Sequence, residues 1–349
     1  MSIQCTYGGS PTFVYSPSDF DDEGRKWCDS LTKSEFDEEL CKRWDASMES
    51  GHFKYNLNGV ESRVVPGDKR YIVELNEKRF AERRKPQQID HICQPFNPTN
   101  FNFNKIKPDE ILFQMKREQD DAKTPQNLVV INVSPLGYGH VLLVTDVESC
   151  TNQVLTEDAI RFGIETMLLS SSPAFRVAFN SLRAFASVNH LHLHAWYLHQ
   201  SQIIETMDAT ELGNGCFELT ESLVHGFAFQ LAGQDIANLC KKIHRITSYF
   251  IDNNFAHNMS LTRGRAFDDH NKQTVRIFLW PRQSVSVPSK ADNPFNVAAA
   301  ELSGHLPIRD RENFKSITEE VIDRALENEC LPHDVFNKIK EDVMSLMKV

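Results

Sequence analysis

The stretch NHLHLHAWYL, residues 189–198, decides the fold of this chain. Three histidines alternate with two leucines, and the aromatic pair that follows favours a β-strand. Successive side chains of a strand point to opposite faces, so His190, His192 and His194 are predicted to lie on one face, spaced by about 7 Å. On a helix the same side chains would spread around the cylinder. The stretch therefore predicts a strand that presents a row of imidazoles.

Three interpretations of this row are open from these residues alone. The histidines can be exposed or hydrogen-bonded on a half-buried strand, without a chemical role. They can form part of a metal site, because two histidines at i and i+2 of a strand can bind zinc with a third ligand from elsewhere. They can also serve covalent catalysis, in which a neutral imidazole attacks phosphorus while its neighbours orient it and stabilise charge.

Two upstream segments favour the catalytic interpretation. The run 180–188 leads directly into the row and supplies small polar side chains, namely Asn180, Ser181 and Ser187. Earlier in the chain, residues 132–144 contain a proline and two glycines just before an apolar run. A turn there is predicted to place His140 at the start of a strand.

The row and its upstream strand resemble the histidine-triad superfamily, whose mark is His-φ-His-φ-His-φ-φ preceded in the chain by a Gly-His-φ-φ-φ strand. Residues 190–196 and 139–144 match these two patterns. In that superfamily the middle histidine is the nucleophile that takes a nucleoside monophosphate from its substrate. The resemblance therefore implies that His192 is the nucleophile, that His190 orients it, and that His194 binds phosphate oxygens.

Further stretches are similar to one branch, the animal GDP-D-glucose phosphorylases, which are related to the plant GDP-L-galactose phosphorylases and to galactose-1-phosphate uridylyltransferase. The matching stretches are 61–67, 75–76, 79, 83–84, 94–96, 101–105, 134–140, 180–198 and 295–305. The resemblance implies that GMP passes from GDP-D-glucose to inorganic phosphate through a guanylyl-histidine, giving GDP and glucose 1-phosphate.

The resemblance also implies an α+β fold, in which helices pack on a histidine-triad-like antiparallel sheet. Two fused units are expected, of which one carries the site. Residues 1–30 are predicted to form a loose acidic arm, and 31–349 a single catalytic region. Within that region, 54–215 are assigned to the active unit, and 216–349 to a site-less unit with C-terminal helices.

Apolar spacing and capping residues predict the individual elements. Helices are expected at 34–48, 156–170 and 236–250, and two more within 317–347, broken at Leu331-Pro332. A hairpin is expected from 258–263 and 275–280, and a strand at 101–105.

Substrate contacts are assigned to groups that can donate hydrogen bonds to phosphate or carry positive charge. They are Asn180, Ser181, Ser187, Lys105, Arg84 and the backbone at Gly139. Arg84 belongs to the most basic run, 78–86, whose other interpretation is a solvated surface. Three further histidines are predicted to be structural, namely His140, His199 and His305.

Two positions depart from the relatives. The plant phosphorylases and the uridylyltransferases have Gln where this chain has His194, and a histidine there accompanies hydrolysis elsewhere in the superfamily. Residue 183 is Arg where the relatives are expected to carry Gly, a change that bears on substrate fit. The alternative enzyme is therefore a nucleotide-sugar or dinucleotide hydrolase, and the alternative outside enzymes is a nucleotide-sensing binding module.

Composition narrows the classes of partner. Of the 349 residues, 40% are apolar and 25% charged, as in ordinary globular enzymes. The net charge of -10 argues against a protein that coats nucleic acid, although it leaves room for a nucleotide substrate. Eight cysteines are scattered without a Cys-x-x-Cys pair, so reduced thiols, no metal site and no cofactor are predicted.

The same sequence predicts no membrane partner and a cytoplasmic location. No run approaches about 18 consecutive apolar residues, the length that a membrane-spanning helix needs. The first residues have neither the basic nor the apolar region of a signal peptide.

Overall fold

A computed structural model describes residues 4–7, 9–21, 33–84, 87–121, 124, 126–284 and 294–348. The strands in chain order are β1 (Gln4–Tyr7), β2 (Ser10–Tyr15), β3 (Glu61–Val64), β4 (Ile72–Leu75), β5 (Ile111–Arg117), β6 (Asn127–Ile131), β7 (Val141–Val144), β8 (Phe175–Asn180), β9 (His192–Tyr197), β10 (Ala209–Gly213), β11 (Cys216–Leu219), β12 (Phe227–Gln230), β13 (Ala256–Arg265), β14 (Gln273–Arg282) and β15 (His305–Ile308). The helices are α1 (Glu35–Glu49), α2 (Glu77–Glu82), α3 (Glu157–Leu169), α4 (Ile236–Asp252), α5 (Ala299–Leu302), α6 (Arg311–Ser316), α7 (Glu319–Glu327) and α8 (His333–Met347).

Twelve of the strands form one sheet, in the order β1-β2-β5-β6-β7-β9-β8-β13-β14-β12-β11-β10. Neighbouring strands pair antiparallel, apart from β2 and β5, which are parallel. The remaining three strands form a smaller sheet in the order β15-β4-β3. Sheets and helices are thus combined in an α+β fold, as predicted, and β9 lies in the middle of the large sheet.

The two faces of β9 have different environments. Leu193 and Ala195 point into the main apolar core, which the large sheet shares with α1, α3, α4 and α8. Gly163 of α3 has no side chain, so the helix packs directly on Leu193, and a Cβ there would lie 3.1 Å from the leucine. His192 and His194 alternate with these residues and point to the opposite face. The fold therefore supports the histidines from behind with a layer of buried apolar side chains.

Most of the predicted elements are confirmed. Ser34 and Thr156 cap α1 and α3, because each hydroxyl accepts a hydrogen bond from a backbone N–H of the first helical turn. Helix α4 and the β13–β14 hairpin lie where apolar spacing and alternation place them. The C-terminal helices α7 and α8 are separated around Pro332, which precedes the first residue of α8.

Two predicted segments differ from the structure. The strand expected at 101–105 is wrong, because Phe103–Lys105 form a 3-10 helix that begins where the Asn102 side chain accepts from the N–H of Asn104. The loose arm is wrong for β2, because Thr12–Tyr15 pair with β5 and the Phe13 and Tyr15 side chains are buried in the main core. Residues 1–3, 8 and 22–30 of that arm lie outside the described residues.

The expected border between residues 215 and 216 falls inside the β10–β11 hairpin. In addition, β13 from the second assigned unit pairs with β8 from the first, so the large sheet runs across both. The division into two units remains a prediction. Among the described residues, none of the helices combines the length and the apolar character that crossing a bilayer requires.

Candidate active site

A cavity lies on the face of the large sheet that carries His192 and His194, and both side chains line it. Strand β9 supplies the two histidines at alternate positions, so both reach the same space. Their ring centroids are 5.1 Å apart. Predicted residues Asn180, Ser187 and Arg84 also line this cavity. The structure therefore brings together five of the residues that the sequence singled out.

Hydrogen bonding fixes the tautomer of His192. Its Nδ1 atom lies 2.7 Å from the backbone carbonyl oxygen of His190. A carbonyl oxygen only accepts, so Nδ1 carries the proton and donates it, and Nε2 of the neutral ring has a free lone pair. Burial lowers the pKa of His192 to about 4, and this effect keeps the ring neutral near pH 7. An unprotonated nitrogen held in one orientation is the form that a nucleophile needs.

A second hydrogen-bond chain favours one tautomer of His194, because the short contact from the Leu136 N–H to His140 outweighs the 3.3 Å contact of the Asn132 amide nitrogen with the other ring nitrogen. The N–H of Leu136 donates to Nδ1 of His140 over 2.6 Å. Burial lowers the pKa of His140 well below its usual range, so the neutral ring carries its proton on Nε2. That nitrogen lies 3.1 Å from Nδ1 of His194, which therefore accepts. His194 is left with its proton on Nε2 and can donate a hydrogen bond to a ligand in the cavity.

His190 lies outside the cavity lining. It precedes the first residue of β9, and its ring packs against Phe96 and Phe103. Nδ1 of the buried ring accepts from the N–H of Phe103 over 3.0 Å. The expected orienting effect on His192 therefore comes from the backbone carbonyl of His190, while its imidazole packs against Phe103, which also contacts the His192 ring.

Gln153 holds the backbone around His192, and the sequence did not predict this contact. Its side chain is buried and accepts from the N–H of His192 over 2.9 Å. Its Nε2 group donates to the carbonyl oxygens of Asn180 and His192, both at 3.0 Å. Gln153 is not part of a recognisable sequence motif. Only its tertiary contacts distinguish it from an ordinary loop glutamine.

Asn180 is oriented by two donors. Its Oδ1 atom accepts from Asn258 over 2.7 Å and from the N–H of Ala299 over 2.9 Å. The amide nitrogen of the side chain is then the group available to a ligand, and it is a donor that suits a phosphate oxygen.

Three arginines line the cavity, and Arg84 is the one that was predicted from the sequence to contact substrate. Arg79 donates to the carbonyl oxygen of Ser134. Burial and the neighbouring Arg79 lower the pKa of Arg83, whereas Arg84 stacks 3.2 Å above the ring centroid of Phe101. One guanidinium group can donate two parallel hydrogen bonds to the oxygens of a phosphate, so these three arginines suit a diphosphate.

Glu301 also lines the cavity, on the side of Arg79 and Arg83. Its Oε2 accepts from the N–H of Ala298 over 2.9 Å at the start of α5. Burial raises the pKa of Glu301 to about 7. This carboxyl was not predicted from the sequence, because α5 is only four residues long and carries no recognisable motif.

Three predicted substrate contacts lie outside the cavity lining. Ser181 is buried, and its hydroxyl donates to the carbonyl of Leu182 and accepts from the N–H of His257. The Lys105 ammonium donates to the carbonyls of Thr99 and Asn100, which stabilises the preceding loop. The Ser181 hydroxyl and two of the three Lys105 N–H donors therefore bind backbone groups, outside the cavity that His192 lines.

Gly139 has φ +66°, and a Cβ there would lie 2.5 Å from the ring of Tyr197. The glycine is thus required for close packing next to His140. Arg183 has φ +60°, a left-handed conformation that favours glycine, and its guanidinium donates to the carbonyl of Asp90. Its departure from the expected glycine affects the backbone of the 181–186 turn, and its side chain is not part of the cavity lining.

The three histidines predicted to be structural have different surroundings. His140 holds His194, as described above, and His305 pairs with Glu74 over 3.0 Å in the interior. His199 is exposed and lies outside the lining of the histidine cavity. Within the described ranges, no group of three or more His, Cys, Asp or Glu residues is arranged to hold a metal ion.

Two family models match the chain. The model described as "GDPGP1-like, N-terminal domain" matches residues 35–196, and "GDPGP1-like, C-terminal domain" matches residues 198–349. The cavity histidines thus belong to the first match and Glu301 to the second.

Curated relatives match over nearly the whole chain. "GDP-D-glucose phosphorylase 1" of Danio rerio is 41% identical, with 97% of this chain and 100% of that protein covered. The Homo sapiens protein of the same name is 39% identical, with 97% and 92% covered. "GDP-L-galactose phosphorylase 2" of Arabidopsis thaliana is 30% identical, with 85% and 73% covered.

The fold is also that of a solved structure, yeast Ap4A phosphorylase Apa2 in complex with Ap4A. The two structures superpose with a TM-score of 0.60 at 16% sequence identity, covering 86% of this chain and 99% of the yeast chain.

Proposed function

Because the chain belongs to the GDPGP1-like family of GDP-D-glucose phosphorylases, we propose that it transfers GMP from GDP-D-glucose to inorganic phosphate. The observation that carries this proposal is the unprotonated Nε2 of His192, held in a cavity beside hydrogen-bond donors and arginines. The reaction class is nucleotidyl transfer through a covalent intermediate.

In the first half-reaction, the lone pair on Nε2 of His192 attacks the α-phosphorus of GDP-D-glucose. The bond from that phosphorus to the bridging oxygen breaks, and glucose 1-phosphate leaves with the bonding electrons. GMP remains bonded to Nε2. The ring now carries positive charge, and the carbonyl oxygen of His190 stabilises it by accepting from Nδ1.

In the second half-reaction, an oxygen of inorganic phosphate attacks the same phosphorus. The phosphorus–nitrogen bond breaks, its electrons return to His192, and GDP is formed. No net proton or electron is left on the protein, so the enzyme is ready for another cycle. Two successive displacements predict ping-pong kinetics.

Charge on the phosphate oxygens increases at the reacting centre, and donors fixed in advance stabilise it. The proposed donors are Nε2 of His194, the Asn180 amide and the guanidinium groups of Arg79 and Arg83. Ser187 and Arg84 are proposed to contact the nucleotide part of the substrate, on the side of the cavity away from these phosphate donors. Their fixed positions come from β9, β8 and α2 with its following residues.

Hydrolysis of the guanylyl-histidine by water is the second candidate activity. It is favoured by one specific observation, the histidine at position 194. A protonated Nε2 on His194 can serve water as well as phosphate. The product separates the two reactions, because hydrolysis yields GMP and phosphorolysis yields GDP.

The test is the dependence of turnover on inorganic phosphate, measured with GDP-D-glucose, GDP-D-mannose and GDP-L-galactose. The proposal predicts GDP and a hexose 1-phosphate at rates that rise with phosphate, with GDP-D-glucose used most efficiently. Phosphate-independent release of GMP would instead support the hydrolase. The cytoplasm is the proposed location, because the scattered cysteines suit a reducing compartment.

A further inference from the structure

The floor of the cavity changes from polar to apolar across the sheet. In the pairing between strands, Leu142 of β7 lies opposite His194, and Val130 of β6 lies opposite Leu142. Directly paired residues share one face, and both apolar side chains line the cavity. On the other side of β9 the lining contains Asn180 and Glu301. The β6–β7 side therefore suits the flat, apolar face of a nucleobase, and the β8 side suits a hexose phosphate.

Aromatic side chains support the same orientation. The Phe103 ring lies 5.1 Å from the His192 ring, and Phe101 packs at 6.0 Å on Phe103. Val130 on β6 is two strand spacings, about 10 Å, from β9, which leaves room for a ribose and a purine beyond the α-phosphorus. A base stacks well on such rings, whatever its identity. Stacking alone therefore cannot explain selection of guanine.

Glu110 lies at the apolar end of the cavity. It directly precedes Ile111, which pairs with Val130. Glu110 is partly exposed and lines the cavity beside Arg84, whose pKa is lowered by burial and raised by this carboxylate. Its Oε1 atom accepts from the N–H of Lys107 over 3.2 Å, a contact that fixes the carboxylate at the start of β5.

We propose that Glu110 recognises the guanine base by accepting hydrogen bonds from its N1–H and N2–H groups. This inference rests on the proposed function, since it names the residue that makes the same site specific for guanine. An ionised carboxylate has only acceptors, and its two oxygens match two adjacent donors. Adenine presents an acceptor at N1 and no amino group at C2, so it offers this carboxylate no donor at these two positions.

Glu301 is the other carboxylate among the described lining residues, and its surroundings fit a different part of the substrate. It lies with Arg79 and Arg83, where phosphate and hexose are expected. It is also joined through α5 to Asn180, because Ala299 donates to the Asn180 side chain. If Glu301 recognised the guanine, the base would lie on the polar side of the cavity floor and the hexose on the apolar side, which suits neither group.

The experiment measures kcat/KM of the full chain for GDP-glucose, for IDP-glucose, which lacks the 2-amino group, and for ADP-glucose. Wild type is expected to prefer GDP-glucose. Glu110→Gln replaces one acceptor with a donor, so its kcat/KM for GDP-glucose should fall roughly 10- to 100-fold, with a smaller loss for IDP-glucose. The preference for GDP-glucose over ADP-glucose should shrink by a similar factor.

Asp109→Asn is the matched control, because Asp109 is the adjacent carboxylate, exposed and outside the cavity lining. It should leave all three kcat/KM values unchanged. The inference is overturned if Glu110→Gln keeps the wild-type ratio between GDP-glucose and IDP-glucose, or if Glu301→Gln alters that ratio and Glu110→Gln does not.

Binding of GDP, IDP and ADP by calorimetry tests the same inference without turnover. If wild type does not consume GDP-glucose, the proposed function fails, whereas selective GDP binding that Glu110→Gln abolishes would still support the guanine contact. If wild type is active and both variants bind GDP, IDP and ADP in the wild-type ratio, only the guanine inference fails.

Discussion

Nδ1 of His192 donates a hydrogen bond of 2.7 Å to the backbone carbonyl oxygen of His190. The contact therefore joins the His192 ring to the main chain of His190, and the His190 ring takes no part in it. This contact directs the lone pair of His192 into the cavity. It also means that the side chain of residue 190 can be changed without removing the hydrogen bond itself. The roles of the histidines can therefore be separated by substitution.

The first prediction concerns His190→Asn. The variant should lose stability, by roughly 1–3 kcal/mol, because the buried ring accepts from Phe103 and packs between Phe96 and Phe103. Its kcat should fall far less than that of His192→Asn, since the His190 imidazole does not reach the cavity. Urea unfolding and kcat, measured on both variants, check this. Equal loss of kcat with unchanged stability would show that the His190 ring takes part in the reaction.

The second prediction concerns the donor at position 194. Glutamine keeps an N–H donor at the end of the side chain, so His194→Gln should retain phosphorolysis within about tenfold, whereas His194→Ala should lose roughly 100-fold or more. The ratio of GDP to GMP among the products is the measurement. A rise in GMP with His194→Gln would contradict the idea that the histidine is what permits hydrolysis.

The third prediction is a decline in stability as the pH falls. Burial lowers the pKa of His192 to about 4 in the folded protein, and the unfolded chain titrates near 6.5. Between these pH values the unfolded chain binds a proton that the folded protein does not. The stabilisation from the neutral His192 ring is therefore fully present above about pH 6.5 and decreases toward pH 4. This one group contributes roughly 3 kcal/mol to the change. Denaturant titrations at several pH values give the free energy of unfolding, which should depend less steeply on pH in His192→Asn than in wild type. The same pH dependence in both proteins would refute the lowered pKa of His192.

The fourth prediction concerns Glu301, whose pKa burial raises to about 7. As the pH rises through 7, this carboxyl ionises beside the bound phosphates and should weaken their binding. The kcat/KM of wild type is therefore expected to fall above pH 7, whereas Glu301→Gln, which cannot ionise, should lose this limb of the profile. Glu301 accepts a hydrogen bond at the start of α5, so the circular dichroism spectrum of Glu301→Gln must match that of wild type to show that the variant is folded. An unchanged alkaline limb would mean that another group is responsible.

Local patterns in the sequence were sufficient for much of the fold. Apolar spacing placed α1 and α3, the second with Thr156 as its cap, and alternation around residues 191–197 placed β9 with its histidines and leucines on opposite faces. The aromatic residues of 101–105 alternate as in a strand, but the capping side chain of Asn102 favours a 3-10 helix. The short β2 was missed because its partner, β5, is about 100 residues away in the chain.

The site divides in a similar way. The histidine pattern and Asn180 were accessible from sequence, because the chemistry and the local alternation are both visible there. The positions of Gln153, Glu301 and Glu110 at the site were not, since each lies there through contacts with residues distant in the chain. Ser181 and Lys105 are suitable donors by residue type, but both bind backbone groups and lie outside the cavity lining, a position that the sequence does not reveal.

The most direct test of the central claim is to trap the covalent intermediate. GDP-D-glucose labelled at the α-phosphorus is mixed with the protein without inorganic phosphate, and the labelled peptide is identified by mass spectrometry. We predict a GMP adduct on His192 that is discharged as GDP when phosphate is added and that does not form in His192→Asn. An adduct on another residue, or phosphate-dependent turnover that persists in folded His192→Asn, would contradict the account.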